Sequence, residues 1–232
     1  MSFEVYKDLL KPTSKNFDEV NSGKYEYEES TGQNYRCTMA DNDVMLIEFE
    51  ASKSDKAAGP DTKLSIDWHQ NLDFFPKKTY MYDTPYSVHG GFYQNWISVR
   101  NKILDFFYAH NPKYIAIRGF SQGASVGVLC YQDIDWHIRR DFEGQDKRVS
   151  ATLYEPAKVY YGKAPYLSGI TIIINRNDPV CMIPPFASHV GNIIKIGKWY
   201  RFKPIQHEPK AVMKSLDEYN RLTESDRYLQ SL

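Results

Sequence analysis

The sequence YIAIRGFSQGASVGVLCY, from Tyr114 to Tyr131, contains the pattern on which the fold prediction rests. Its first residues, Tyr114 to Ile117, form a short apolar run typical of a buried strand, whereas Gln122 to Tyr131 is rich in Ala, Val and Leu and favours a helix. Between them lies the G-x-S-x-G pentapeptide Gly119-Phe120-Ser121-Gln122-Gly123. A tight strand-turn-helix connection of this kind raises the serine hydroxyl to the C-terminal edge of a sheet.

Outward from this stretch, strand and helix patterns alternate along the chain. Further strands are predicted at Asp43–Phe49, Val149–Tyr154, Gly169–Ile174 and Ile193–Phe202, and further helices at Phe92–Tyr108 and Lys210–Leu222. The strand at 193–202 is also compatible with one arm of a hairpin. No internal repeat and no Gly/Ser-rich linker divides the chain. The sequence therefore predicts one α/β domain, residues 1–232, with a mostly parallel central sheet and helices on both faces.

Composition excludes several classes of function. Lys and Arg together number 29, as do Asp and Glu, so the formal net charge is zero and a nucleic-acid partner is not expected. No apolar run approaches the roughly 18 residues of a membrane span, and the N-terminus offers no signal-peptide pattern. The three cysteines, Cys37, Cys130 and Cys181, fit neither a disulfide framework nor a CxxC site. We expect a cytoplasmic protein without stable membrane insertion.

A serine hydroxyl becomes an effective nucleophile when a histidine accepts its proton and a carboxylate orients the imidazole. In strand-turn-helix sites these partners follow the serine in the order carboxylate, histidine. Asp178 comes shortly after the predicted strand Gly169–Ile174, so it is expected at the same sheet edge as Ser121. Two histidines lie further along the chain: His207 directly precedes the last helix, whereas His189 precedes the last strand. We prefer His207 as the base and expect structural hydrogen bonds from His189.

Such a triad needs no metal, and the sequence contains no HExxH, EF-hand or P-loop pattern, so no cofactor is expected. The negative charge that develops on an attacked carbonyl oxygen would be held by backbone N–H groups at the start of the helix after Ser121, including that of Gln122. Ser121, Asp178, His207 and Gln122 are therefore the candidate site residues that the pattern itself provides.

Several segments in the correct order resemble the class 3 lipase family, the fungal-lipase-like branch of the α/β-hydrolases. Val88-His89-Gly90-Gly91-Phe92 is similar to the family's V-H-x-G-F segment. Asn175-Arg176-Asn177-Asp178-Pro179-Val180, followed by Ile183-Pro184-Pro185, resembles its N-x-x-D-x-V and L-P-P stretch. Ser188-His189-Val190-Gly191 is similar to its H-x-G segment, which is not catalytic. The resemblance therefore implies a triad aspartate at Asp178 and leaves the role of base to His207.

The resemblance extends from about Val44 to Leu222 and implies an α/β-hydrolase fold. It also implies that Ser52 contributes to the oxyanion hole, because Phe49-Glu50-Ala51-Ser52 loosely matches the family's F-R-G-[ST] strand end. The following segment, about Lys53 to Leu72, corresponds to the family's lid but is longer and strongly polar. Within the G-x-S-x-G turn from Gly119 to Gly123, the nucleophile elbow, Phe120 and Gln122 stand where the family usually has His and Leu.

The sequence therefore predicts a serine esterase or lipase that acts on a small-molecule ester or lipid through an acyl-enzyme. One alternative is a catalytically silent protein of the same fold that binds a lipid or a protein partner, which the altered strand end before Ser52 favours. Another alternative is a thioesterase or amidase that uses the same triad.

Overall fold

The structure is a computed structural model and describes residues 1–51, 75–79, 85–176, 178–198 and 207–222. The α-helices are α1 (Ser2–Leu10), α2 (Ser14–Ser22), α3 (Gly90–His110), α4 (Gln122–Asp141) and α5 (Pro209–Asn220). A short 3₁₀ helix covers Val180–Met182. The strands are β1 (Glu26–Tyr27), β2 (Asn34–Asp41), β3 (Val44–Phe49), β4 (Pro76–Lys78), β5 (Ser87–His89), β6 (Tyr114–Phe120), β7 (Arg148–Tyr154), β8 (Tyr160–Tyr161), β9 (Ile170–Asn175), β10 (Ala187–Ser188) and β11 (Asn192–Ile196).

Seven of these strands form the central sheet, in the order β1-β2-β3-β6-β7-β9-β11. The five strands from β3 to β11 run parallel, while β1 and β2 add an antiparallel edge. The carboxyl ends of β6, β7 and β9 therefore lie side by side. This arrangement confirms the predicted mostly parallel sheet. Strands β4, β5, β8 and β10 form a second, small antiparallel sheet.

Helices cover both faces of the central sheet, as the sequence predicts. Strand β3 is buried along its whole length, and successive side chains enter different clusters, as the alternation of a strand requires. Met45 and Ile47 pack in the large core with the apolar residues of α3 and α4. Val44 and Leu46 pack on the opposite face with Tyr6 of α1.

Three parts of the fold differ from the sequence prediction, and one of them is the small antiparallel sheet of β4, β5, β8 and β10, which was not predicted. The N-terminal elements α1, α2, β1 and β2 were not predicted, because their polar residues show no clear apolar period. The predicted strand Ile193–Phe202 is β11, which ends at Ile196 and pairs parallel with β9, so the hairpin alternative is wrong for this pairing. Gly197 follows with a φ of 74°, and the Asn175 side chain lies where a Cβ would stand.

Among the helices that the structure describes, none combines the length and apolar character needed to cross a membrane.

Candidate active site

Ser121 lies on the turn between β6 and α4 with φ 56° and ψ −123°, a conformation that few non-glycine residues adopt. A Cβ on Gly119 would lie 2.7 Å from the carbonyl oxygen of Gly123. A Cβ on Gly123 would lie 2.5 Å from the carbonyl oxygen of Phe49 and would also collide with that of Glu50. The two glycines of the pentapeptide are therefore required by the close approach of backbone to backbone around the serine.

A Cβ on Gly123 would collide with backbone carbonyl groups, which cannot move aside as a side chain can. Gly123→Ala is therefore expected to lower the free energy of unfolding by about 1–3 kcal/mol or more. Gly127→Ala is the matched control on the same helix, since the one close contact of its Cβ would be the movable Cδ2 of Leu153, at 2.7 Å, and its other neighbours are side chains at 3.6 Å or more. Alanine also has the better helix propensity there. Urea denaturation of both variants measures the difference, and an equal loss of stability in both would contradict this explanation of the elbow glycines.

The structure brings Ser121, His207 and Asp178 together. The Nε2 atom of His207 lies 2.7 Å from the Oγ of Ser121, and its Nδ1 atom lies 2.6 Å from Oδ2 of Asp178. A carboxylate can only accept, so Nδ1–H donates to Asp178 and Nε2 accepts from the serine hydroxyl. Phe120 stacks on the His207 ring, with the ring centroids 5.1 Å apart. This imidazole is therefore held in the tautomer and orientation that a general base requires.

Asp178 is held at the sheet edge by its own backbone and by its neighbours. Its N–H donates to the carbonyl oxygen of Asn175, the last residue of β9, and its Oδ1 accepts from the N–H of Val180 at 2.8 Å. Burial acts to raise the pKa of Asp178, but hydrogen bonds from His207, Glu155 and Val180 outweigh it, and the net pKa lies below the ordinary value. Asp178 is therefore ionised at neutral pH.

Fungal lipases are similar to this chain in three dimensions. Triacylglyceride lipase from Rhizomucor miehei superposes with a TM-score of 0.58 at 19% identity, over 84% of this chain and 81% of that one. Mono- and diacylglycerol lipase from Aspergillus oryzae gives 0.51 at 15% identity, over 89% and 84%. This chain has the fold of the fungal lipases. The predicted α/β-hydrolase fold is confirmed.

The propeptide complex of the Rhizomucor miehei lipase superposes with a TM-score of 0.56 at 20% identity, over 75% of this chain. The chain spans 56% of the length of that relative. No protein-family model matches the sequence, and no curated protein matches it either. The similarity to fungal lipases is therefore one of fold.

Within this lipase fold, His189 makes the structural hydrogen bond expected of it. Its Nε2 lies 2.8 Å from the carbonyl oxygen of Cys181, to which it donates. Burial lowers the pKa of His189, so its neutral form is favoured. The Ser121 hydroxyl is paired with His207 instead.

Of the two expected oxyanion donors, Gln122 is the first residue of α4 and directly follows Ser121. The N-terminal turn of a helix presents backbone N–H groups to an anion, which fits the predicted role. Ser52 lies outside the described residues. The carbonyl groups of Phe49 and Glu50, just before it, nevertheless pack against Gly123, so the strand end that leads to Ser52 abuts the elbow.

Sequence reasoning missed Glu155, a buried residue beside Asp178 and His207. Its Oε2 lies 3.9 Å from Nδ1 of His207. The sequence did carry a signal, since Glu155 directly follows the predicted strand Val149–Tyr154 and Asp178 comes shortly after the predicted strand Gly169–Ile174, but that signal fits several roles. Glu155, Asp178 and His207 have potential metal-ligand atoms within 4.8 Å of one another. Both nitrogens of His207 are already hydrogen-bonded, to Asp178 and Ser121, so the arrangement suits proton transfer better than cation binding.

Proposed function

We propose that this protein is a serine hydrolase that cleaves carboxylic esters, an esterase or lipase. The observation that carries the proposal is the position of His207, whose two ring nitrogens bridge the Ser121 hydroxyl and the Asp178 carboxylate at 2.7 and 2.6 Å. The lipase fold supports it, because the serine stands at the turn where that fold presents a nucleophile.

In the proposed reaction, Ser121 Oγ attacks the ester carbonyl carbon while Nε2 of His207 takes the hydroxyl proton. Asp178 stabilises the resulting imidazolium through Nδ1–H, and backbone N–H groups of Gln122 and Ser52 hold the oxyanion. When the tetrahedral intermediate collapses, the C–O bond to the leaving alcohol breaks and His207 returns the proton to that oxygen. Water then attacks the acyl-enzyme by the same route and releases the acid.

Pre-steady-state hydrolysis of p-nitrophenyl butyrate tests this function. We expect a burst of p-nitrophenol equal to the enzyme concentration, followed by slower turnover, because p-nitrophenolate is a good leaving group and acylation is then faster than deacylation. Hydrolysis no faster than buffer would favour the catalytically silent binding protein. Faster turnover of the matched thioester or anilide would instead favour a thioesterase or amidase.

We also propose a reducing, cytoplasmic location and a small-molecule ester or lipid as the partner, with no nucleic acid bound. Cys37, Cys130 and Cys181 are all free thiols in the structure, and burial raises the pKa of each of them. Two of these protonated cysteines are buried and Cys37 is half-buried, which suits a compartment in which disulfides do not form.

For the substrate, we propose short, soluble or monomerically dispersed esters. The segment Lys53–Ser65, which lies outside the described residues, offers only Ala57, Ala58 and Leu64 as apolar side chains among its charged ones. Placing such a segment in lipid would desolvate charges at a cost greater than its apolar gain. A second candidate is an interfacial lipase. It is favoured by two apolar side chains that follow Asp178 in sequence and are exposed to solvent, Met182 (66%) and Phe186 (87%).

Hydrolysis of increasing concentrations of tributyrin decides between these two substrate classes. We expect the rate to rise smoothly through the solubility limit, because the polar Lys53–Ser65 segment gains nothing at an oil surface. An abrupt increase at the onset of the emulsion would contradict this preference. Loss of that increase in Phe186→Ser would then assign interfacial binding to the exposed residues after Asp178.

A further inference from the structure

Glu155 occupies a strained and enclosed position behind the triad. It directly follows β7 at the sheet edge, is fully buried, and has a φ of 54° in the left-handed region that favours glycine. Its N–H donates to the carbonyl oxygen of Ile173 in β9, while the carbonyl oxygen of Tyr154, just before it, accepts from the N–H of Ser121. Its backbone thus lies between the strand that leads to the nucleophile and the strand that leads to the triad acid.

The two carboxyl oxygens of Glu155 have different surroundings. Oε1 accepts from the backbone N–H of Asn175 at 2.5 Å, so it is not the oxygen that would carry a proton. Oε2 faces Asp178 and shares two neighbours with Oδ2 of that residue. The Sγ of Cys181 lies 3.7 Å from Oε2 and 3.4 Å from Oδ2, and Nδ1 of His207 lies 3.9 Å and 2.6 Å from the same two atoms.

Two adjacent buried carboxyl groups cannot both be ionised without a compensating cation. The titratable groups that face Glu155 in the described part of the chain are Asp178, Cys181 and His207. Asp178 is closer to His207 and also accepts from Val180, so it is the better place for the single negative charge. Burial, the hydrogen bond to Asp178 and its charge raise the pKa of Glu155 well above the ordinary value.

We infer that Glu155 is a positioning residue that remains protonated and donates a hydrogen bond from Oε2 to Oδ2 of Asp178, fixing the carboxylate that orients His207. This inference rests on the proposed serine-hydrolase function. Each atom then has a consistent role: Oε1 accepts from Asn175, and Oε2–H donates to Asp178. The thiol of Cys181 is a second donor to Asp178. Burial and the two carboxyl groups raise the pKa of this thiol, so it keeps its proton. Glu155 does not replace Asp178, because Asp178 already holds Nδ1.

Two substitutions separate the hydrogen bond from simple packing. Glu155→Gln keeps an acceptor for Asn175 and an N–H donor for Asp178, so it is expected to retain kcat within about threefold, whereas Glu155→Leu is expected to lose about 10–100-fold in kcat with little change in KM. Thr152→Val is the matched control, because Thr152 is buried on the same strand but donates to Leu10, away from the triad. It is expected to keep full activity.

The pH dependence tests the protonation state. If Glu155 is neutral, Glu155→Gln removes no charge, and the midpoint of the acidic limb of kcat/KM stays within about half a unit. An ionised Glu155 at 3.9 Å would favour the charged imidazole, so its replacement would move that midpoint down by about one unit or more. That downward movement would overturn the inference, as would equal kcat values in Glu155→Leu and wild type.

Two measurements do not depend on catalysis. In wild type at neutral pH, infrared difference spectroscopy against Glu155→Gln should show the C=O stretching band of a protonated carboxylic acid. A raised pKa in the folded state gives stability that is complete below the ordinary Glu pKa and is lost as pH rises toward the folded value. The stability of Glu155→Gln relative to wild type should therefore grow as the pH rises above the ordinary Glu pKa of about 4.3.

These results distinguish two failures. An absent carboxylic acid band, with no growth in relative stability, overturns the inference about Glu155 even if the protein hydrolyses esters. A wild-type protein that shows the band but neither a p-nitrophenol burst nor any ester turnover overturns the proposed function, and the positioning role of Glu155 is overturned with it.

Discussion

Replacing Ser121 by alanine is expected to reduce p-nitrophenyl ester hydrolysis by about 10⁴-fold or more, because the loss of one triad member removes the nucleophilic route entirely. Thermal unfolding should change little. The Ser121 hydroxyl pairs with the partly exposed His207 and does not pack in the core. Initial rates with purified wild type and variant, with melting curves on the same preparations, measure both effects.

Ser125→Ala is the matched control for this variant. Ser125 lies one turn further along α4 and its Oγ donates to the carbonyl oxygen of Ala157 at 3.1 Å, so its loss costs about 1 kcal/mol of stability. Its turnover should remain close to wild type. Wild-type turnover in Ser121→Ala would show that the elbow serine is not the nucleophile.

The second large effect is expected at the base. His207→Ala should be as inactive as Ser121→Ala, because the hydroxyl is not activated when no imidazole accepts its proton. The double variant should be no worse than either single one, since the two residues act as a unit. Steady-state rates for the three variants, normalised to folded protein, give this double-mutant comparison.

His189→Ala serves as the histidine control. Its ring donates to the Cys181 carbonyl, so its removal should reduce stability while leaving measurable activity. If His189→Ala were inactive and His207→Ala active, the base would be His189 and the resemblance of the C-terminal third to the lipase family would fail.

The sequence was most informative where a local pattern has one structural solution. The turn from Gly119 to Gly123 has no room for a side chain at either glycine. The G-x-S-x-G pattern therefore predicts both the tight turn and its place between a strand, β6, and a helix, α4. The strand before Asp178 is short and apolar, and the carboxyl ends of parallel strands share one sheet edge. The amino-acid pattern alone therefore predicts that Ser121 and Asp178 lie together.

Other features depend on contacts between distant segments and leave little local signal. Strand β2 has a mixed polar sequence and is a strand because it pairs with β3. The buried Glu48 of β3 is another such feature. It forms ion pairs with Arg36 on β2 and with Arg118 on β6, two contacts between segments distant in sequence. The preference for His207 over His189 came from its place before the last helix and from the family resemblance, whereas the contact of His207 with Ser121 is seen only in the folded geometry.

Glu155 is a different case, in which the signal was present but could not be interpreted. A Glu that follows a buried strand is compatible with a solvent-exposed turn, a triad acid or a supporting residue. The distances to Nδ1 of His207, 3.9 Å from Glu155 and 2.6 Å from Asp178, agree with the family resemblance in making Asp178 the residue that holds the imidazole. The two carboxyl groups differ by little more than one ångström in their distance from Nδ1 of His207, and a sequence cannot give such a difference.

Labelling with a fluorescent fluorophosphonate, followed by mass-spectrometric mapping of the adduct, tests the central claim most directly. The reagent reacts with an activated serine and requires no knowledge of the natural substrate. We predict one adduct per chain, on Ser121, with labelling abolished in Ser121→Ala and in His207→Ala. The absence of labelling in folded wild-type protein, or an adduct on a serine other than Ser121, would contradict the claim that Ser121, His207 and Asp178 form a working triad.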